Sequence, residues 1–245
     1  MPAIQRERRD DGIEIVRLDR PDVRNALDTA TITELVAALT QLAADPGLRV
    51  LVLSTTSTRA FCAGADVGEQ LDREGGIARM EAFAELYAAL DAFPAPVVCV
   101  CVGNCVGAGA ELVAGSDLRV GGDNLKLAWA GSRLGVPVGP ARLAPLIGVA
   151  RAKELVFTGR VVGMEEALAL GLLNRTAPAD RAEAAALALA AEIAAYPPEG
   201  LRRLKAMFGD LGGTAARVAH ENELLVAFQR AGAGLPARTP GGTRP

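Results

Sequence analysis

One histidine, His220, serves a chain of 245 residues, and no C-x-x-C pair occurs, so the common metal-site spacings are missing. The phosphate-loop pattern G-x-x-x-x-G-K-[ST] is absent too. The dinucleotide pattern G-x-G-x-x-G fails at its last position: counted from Gly107 it needs glycine at 112, where Leu112 stands. Nor is there a nucleophile elbow, since Ser116 sits in Gly-Ser-Asp with no glycine two residues on. Aromatic residues make up only 4%, so a core must be built from aliphatic and small side chains. No apolar run reaches the roughly 18 residues of a membrane span. Net charge is −3 with both signs mixed along the chain, which offers no nucleic-acid surface. The opening residues, MPAIQRERRDDG, are polar, and no secretory signal is expected.

What the chain has is alanine, glycine and a 50% apolar content. Its length fits one large domain or two small ones. Cys62, Cys99, Cys101 and Cys105 fall in strand or turn contexts and read as buried free thiols in a reducing compartment, hence a cytoplasmic protein. Alternation predicts a strand over 13–18; unbroken apolar runs predict buried strands over 50–53 and 97–102. A helix is expected from Asp28 or Thr29 to about 44, with Thr31 and Glu34 at capping-box spacing. A second lies between 77 and 93. Short strands are expected over 118–120 and 125–127, then a Gly/Pro loop from Trp129 to Pro140. Helices follow over 141–147, 150–157, 164–170, 180–195 and 215–229. Strands alternating with helices make the fold class α/β. The alanine-rich helices of the last third are either core or an oligomer face.

The pattern centres on residues 97–117, VVCVCVGNCVGAGAELVAGSD. It reads as strand, glycine-rich turn and helix start, with one carboxylate, Glu111, in the first turn. Small residues let a ligand approach the backbone. The first N–H groups of a helix lack intrahelical partners and lie at the positive end of its dipole, a place for a carbonyl oxygen that gains negative charge. Apolar neighbours are expected to raise the Glu111 pKa, which suits a general acid or base. The same residues also read as a tight strand-to-helix turn with Glu111 solvated.

Two loops taken together, Phe61-Cys-Ala-Gly-Ala-Asp66 and Gly103-x-x-x-Gly107-Ala108-Gly109 with Ser116-Asp117 beyond, resemble those of the crotonase (enoyl-CoA hydratase/isomerase) superfamily. The likeness extends upstream to Arg20-Pro-Asp-Val-Arg-Asn-Ala-Leu27. Downstream it takes in Leu134-Gly135-Val-Pro, Arg142-Leu, Ile147-Gly148, LVFTG at 155–159 and ALALGL at 167–172. It implies an α/β, ClpP-like spiral of ββα turns with a C-terminal helical trimerisation region. Residues 1–195 would be the core with the acyl-CoA site, 196–230 a helical segment and 231–245 a disordered tail. The implied ligand is an acyl-CoA thioester, with no cofactor beyond the coenzyme A of the substrate, no metal, and no nucleic-acid or membrane partner. The implied assembly is a homotrimer or a dimer of trimers, and the setting is fatty acid metabolism.

The resemblance also implies roles. The N–H groups of Ala65 and Ala108 match the oxyanion donors, and Glu111 matches the first of two hydratase glutamates. Ala63 and Asp66 match the adenine side of the first loop, and Arg24 a basic residue near the CoA phosphates. Gly107, Trp129 and Gly131 fall on the substrate; Trp129 is equally a core tryptophan. Three departures stand out. Counting back from Leu134-Gly135, Gly131 occupies the position of the second glutamate, and neither Ser132 nor Arg133 is a base. Gly68 stands where many relatives carry lysine, and the C-terminus is short. A two-glutamate hydratase is thus in doubt, and a conventional isomerase with only the second glutamate more so. What remains is an enoyl-CoA hydratase-like lyase using Glu111, an acyl-CoA binder without turnover, or another crotonase reaction such as decarboxylation or thioester hydrolysis. The acidic group Glu69, Glu74, Glu81 and Glu85 is expected on a solvated helix face, the alternative being that it leans into the pocket.

Overall fold

The computed structural model describes residues 2–232, 234 and 235. Its strands are β1 (Ile4–Arg8), β2 (Ile13–Leu18), β3 (Val50–Thr55), β4 (Ala60–Cys62), β5 (Val97–Cys101), β6 (Asn104–Val106), β7 (Leu118–Gly122), β8 (Lys126–Ala128) and β9 (Arg175–Ala177). Its α-helices are α1 (Thr29–Ala43), α2 (Arg73–Asp91), α3 (Ala108–Gly115), α4 (Pro140–Ile147), α5 (Val149–Thr158), α6 (Met164–Ala169), α7 (Ala182–Ala194), α8 (Pro198–Gly212) and α9 (Thr214–Ala231). The larger sheet has the order β1-β2-β3-β5-β7-β9, antiparallel at β1–β2 and parallel elsewhere. The smaller is β4-β6-β8, all parallel. Each turn of chain lays a strand in the large sheet, a strand in the small one, and then a helix: β3-β4-α2, β5-β6-α3, β7-β8-α4. This is the expected spiral of ββα turns.

The unbroken apolar runs follow from burial on both faces. Val50, Val52, Val98 and Val100 pack against α7 through Ala182, Ala186, Leu189 and Ala190. Their alternates Leu51, Leu53, Val97 and Cys99 enter a second core with α1 and α2. Alanines on α7 let that helix lie close on the sheet. All four cysteines are free and buried.

Two expectations need correction. Asp28 is the N-cap of α1 and accepts from Thr31 N at 2.8 Å. Thr31 is therefore already inside the helix, and Glu34 lies a turn too late for a capping box; it accepts from Ala3 N instead. Helix α2 starts at Arg73, earlier than expected, because Asp72 caps it through Gly75 N at 2.7 Å. Helix α8 lies inside the helical segment expected over 196–230, where no separate helix was drawn. It opens on Pro198 in its first turn and buries none of its side chains. Leu204, Met207, Phe208 and Leu211 stay exposed at helical spacing, the signal that marks it. Helix α9 packs on α2 and α4, with Val218 and Leu225 in the main core. Of the expected tail, Ala231 closes α9, and residue 233 with 236–245 lies outside the described residues. No described helix is long and apolar enough to cross a membrane.

Candidate functional site

The two loops meet because glycine lets their backbones touch. A Cβ on Gly109 would stand 2.2 Å from the Cys62 carbonyl oxygen, so only glycine fits there. A Cβ on Gly64 would lie 3.7 Å from Ala108 N. Gly107 takes φ 55° and ψ −117° to turn the chain from β6 into α3. Ala108 is the first residue of that helix, so its N–H has no intrahelical partner. Ala65 pairs with Leu27 through its neighbours: Leu27 N donates to Gly64 O and Asp66 N to Leu27 O, both at 2.8 Å. Among the described residues neither the Ala65 nor the Ala108 N–H donates elsewhere.

Glu111 lies in the first turn of α3 and is 0% exposed. Its Oε2 accepts from Arg142 Nη1 at 2.9 Å, and the same nitrogen donates to Glu221 Oε1 at 2.7 Å. Ala141 N donates to Glu221 Oε2 at 2.8 Å. The Arg142 guanidinium lies over the Tyr87 ring, 4.4 Å from its centroid. Glu111 Oε1 and Trp129 Nε1 are buried and have no hydrogen-bond partner among the described residues. A Cβ on Gly139 would stand 3.0 Å from Trp129 Cδ1 and 3.5 Å from Glu111 Oε1, so the indole and the carboxylate flank one glycine. Burial pushes the Glu111 carboxyl up to about 7; Arg142 opposes this and the like charge of Glu221 adds to it.

The remaining residues spread around the first loop. Arg24 is half-buried and left-handed at φ 56°, its carbonyl accepting from Ala63 N at 3.0 Å; among the described residues its guanidinium forms no ion pair. Asp66 is held by Arg20 at 3.2 Å and accepts from Gly68 N. Trp129 is 2% exposed and sits in the main core. Gly131 lies in a 3-10 turn, Ala130–Leu134, where a Cβ would meet Val138 Cγ1 at 3.2 Å and Val136 O at 3.3 Å. Glu69 caps the N-terminus of α1 through Thr29 N and pairs with Arg79, and Glu81 pairs with Arg230. A groove of about 680 Å³ runs between α2 and α9, lined by Asn222, Val226 and Arg230; neither loop nor Glu111 borders it.

The Enoyl-CoA hydratase/isomerase family model matches residues 8–224. The chain belongs to this family. The human "Enoyl-CoA hydratase domain-containing protein 2, mitochondrial" is 36% identical over 203 residues, 79% of this chain and 69% of that protein. A crystal structure of enoyl-CoA hydratase from Bacillus anthracis superposes with TM-score 0.79 at 28% identity, covering 92% of this chain and 91% of that one. An enoyl-CoA hydratase/carnithine racemase from Magnetospirillum magneticum gives 0.79 at 31% identity, covering 86% and 81%. The family's crotonase fold is the spiral described above.

Three residues that hold the candidate site's elements in place were not singled out in the sequence. Arg142 and Glu221 lie 31 and 110 positions beyond Glu111 in the chain, and no local pattern joins them. Asn25, buried and left-handed at φ 54°, donates to the carbonyls of Ala60 and Phe61 and accepts from Arg20 N. Its signal was present in Arg-Asn-Ala-Leu, because asparagine tolerates that conformation better than most residues.

Proposed function

We propose that this protein binds an acyl-CoA thioester and acts as an enoyl-CoA hydratase-like lyase, with the Ala65 and Ala108 N–H groups holding the thioester oxygen and Glu111 transferring the proton. The observation that carries this reading is two unengaged main-chain donors on touching loops, with a buried carboxyl in the same helical turn as one of them. Each donor stabilises an enolate oxygen by about 3 kcal/mol. A carboxyl near 7 both accepts and returns a proton at neutral pH. Arg24, free of ion pairs among the described residues, faces no competitor for CoA phosphates; Ala63, Asp66 and Gly107 border the same loops. Because Glu111 is fully buried, substrate reaches Oε1 only as the packing around Trp129 and Gly139 opens.

Turnover of crotonyl-CoA, followed by loss of the conjugated thioester, tests this. Glu111→Gln is expected to lower kcat by about 100-fold or more while calorimetric binding persists. Absence of crotonyl-CoA binding by the wild-type protein sinks the reading. A second reading, an acyl-CoA binder without turnover, is favoured by Gly131, where Val136 and Val138 already close the space a second carboxylate would need. Binding without turnover in both proteins selects it.

The exposed stripe of α8, Leu204, Met207, Phe208 and Leu211, fits a second copy of the chain, as a trimer or a dimer of trimers. Sedimentation of Met207→Glu against wild type tests that. Four free, buried thiols suit the reducing cytoplasm.

A further inference from the structure

Two carboxylates share one guanidinium nitrogen in a space closed to water. Arg142 Nη1 reaches Glu111 Oε2 at 2.9 Å and Glu221 Oε1 at 2.7 Å. Their side chains are 3%, 0% and 7% exposed. Glu221 is anchored independently, since its Oε2 accepts from the backbone N–H of Ala141, next to Arg142. The Tyr87 ring fixes the guanidinium from the other side. Arg142 therefore cannot follow a movement of Glu111 without giving up Glu221. With both carboxylates ionised, the group carries one uncompensated negative charge.

We propose that Glu221 is a positioning residue for Glu111: through the shared Arg142 nitrogen, α9 decides where the Glu111 carboxyl points and how readily it releases its proton. This rests on Glu111 being the acid/base of the proposed reaction. The groups facing Glu111 come from every side. Helix α2 brings Tyr87, with Asp91 further along; α4 brings Arg142, and α9 brings Glu221 and, beyond it, Arg217. Strand β4 brings the buried Cys62 thiol near Tyr87. Burial pushes that thiol up, which keeps it neutral. Among the described residues Glu221 is thus the one like charge in direct contact with the arginine that Glu111 uses. Neutralising it removes repulsion and leaves the guanidinium to Glu111 alone. Both effects favour ionised Glu111.

The experiment is carbon NMR titration of the glutamate carboxyl groups, with Glu111→Gln assigning the Glu111 resonance. Glu221→Gln is expected to lower the Glu111 midpoint by about one pH unit, and the inflection of the crotonyl-CoA pH–rate profile moves with it. Glu221→Asp keeps the charge and returns the midpoint toward wild type. An unmoved midpoint in folded Glu221→Gln or an equal shift in Glu221→Asp overturns the proposal. A protein inactive on crotonyl-CoA whose Glu111 midpoint still falls in Glu221→Gln ends the hydratase reading and upholds the coupling.

Discussion

The two sides of the candidate site are made of different material. The loop side is main chain: Ala65 and Ala108 contribute N–H groups, and their placement depends on backbone packed against backbone at Gly109 and Cys62. The carboxyl side is side chain: Glu111 of α3, Arg142 of α4 and Glu221 of α9 meet across the core, with Tyr87 of α2 beneath them. The first side is governed by volume and indifferent to pH. The second is governed by charge and sensitive to pH. A backbone donor cannot be titrated away, whereas a buried carboxyl can be retuned by any neighbour that changes its charge.

The sharpest way to break this comparison is Arg142→Met. It leaves Glu111 and Glu221 buried without their counterion, and urea unfolding at pH 8 is expected to show a loss of about 3–5 kcal/mol. The loss is smaller at pH 5, where Glu111 is protonated. Next comes Gly109→Ala, whose Cβ would overlap the Cys62 carbonyl; it is expected to cost about 3 kcal/mol, equally at both pH values. If the two variants show the same pH dependence, the division between the sides is wrong.

A milder effect lies in the wild-type protein. The Glu111 pKa rises from 4.5 to about 7 on folding. Between those values the folded state therefore binds more protons than the unfolded one. Its stabilising contribution is full below pH 4.5 and is lost as pH rises through about 7. Urea midpoints across this range are expected to fall by an amount equivalent to roughly 3 kcal/mol, and Glu111→Gln flattens that slope. An unchanged slope removes Glu111 as its source. The smallest effect is expected at Gly131→Ala, where Val138 and the Val136 carbonyl stand just inside comfortable contact. A loss of about 1 kcal/mol in thermal unfolding checks it.

Local pattern made much of the fold legible. The apolar runs at 50–53 and 97–102 became β3 and β5 because a strand buried on both faces leaves no room for polar alternation. Gly148, Gly159 and Gly171 marked helix ends where the chain must turn left-handed. Helix α8 was foreseen only as part of the helical segment over 196–230, since its apolar stripe stays exposed. At the site, the Gly-rich loops could be read from their residue types, since close backbone approach demands small side chains. Glu111 was legible as a carboxylate in the first turn of an apolar helix, either buried or solvated; its burial and its partners were decided by the fold. Arg142 and Glu221 sit in amphipathic helices where a lone charge usually faces water, and only the crossing of α9 over α4 turns both inward.

By itself the sequence determined the strand runs and the small residues of the two loops, because strand burial and close backbone contact act over a few neighbouring residues, and its resemblance to the family carried the α/β spiral. Only the tertiary structure decided the electrostatic state of Glu111. That state depends on charges 31 and 110 positions away in the chain, and Coulomb interaction in a dry interior follows distance through space rather than separation along the backbone.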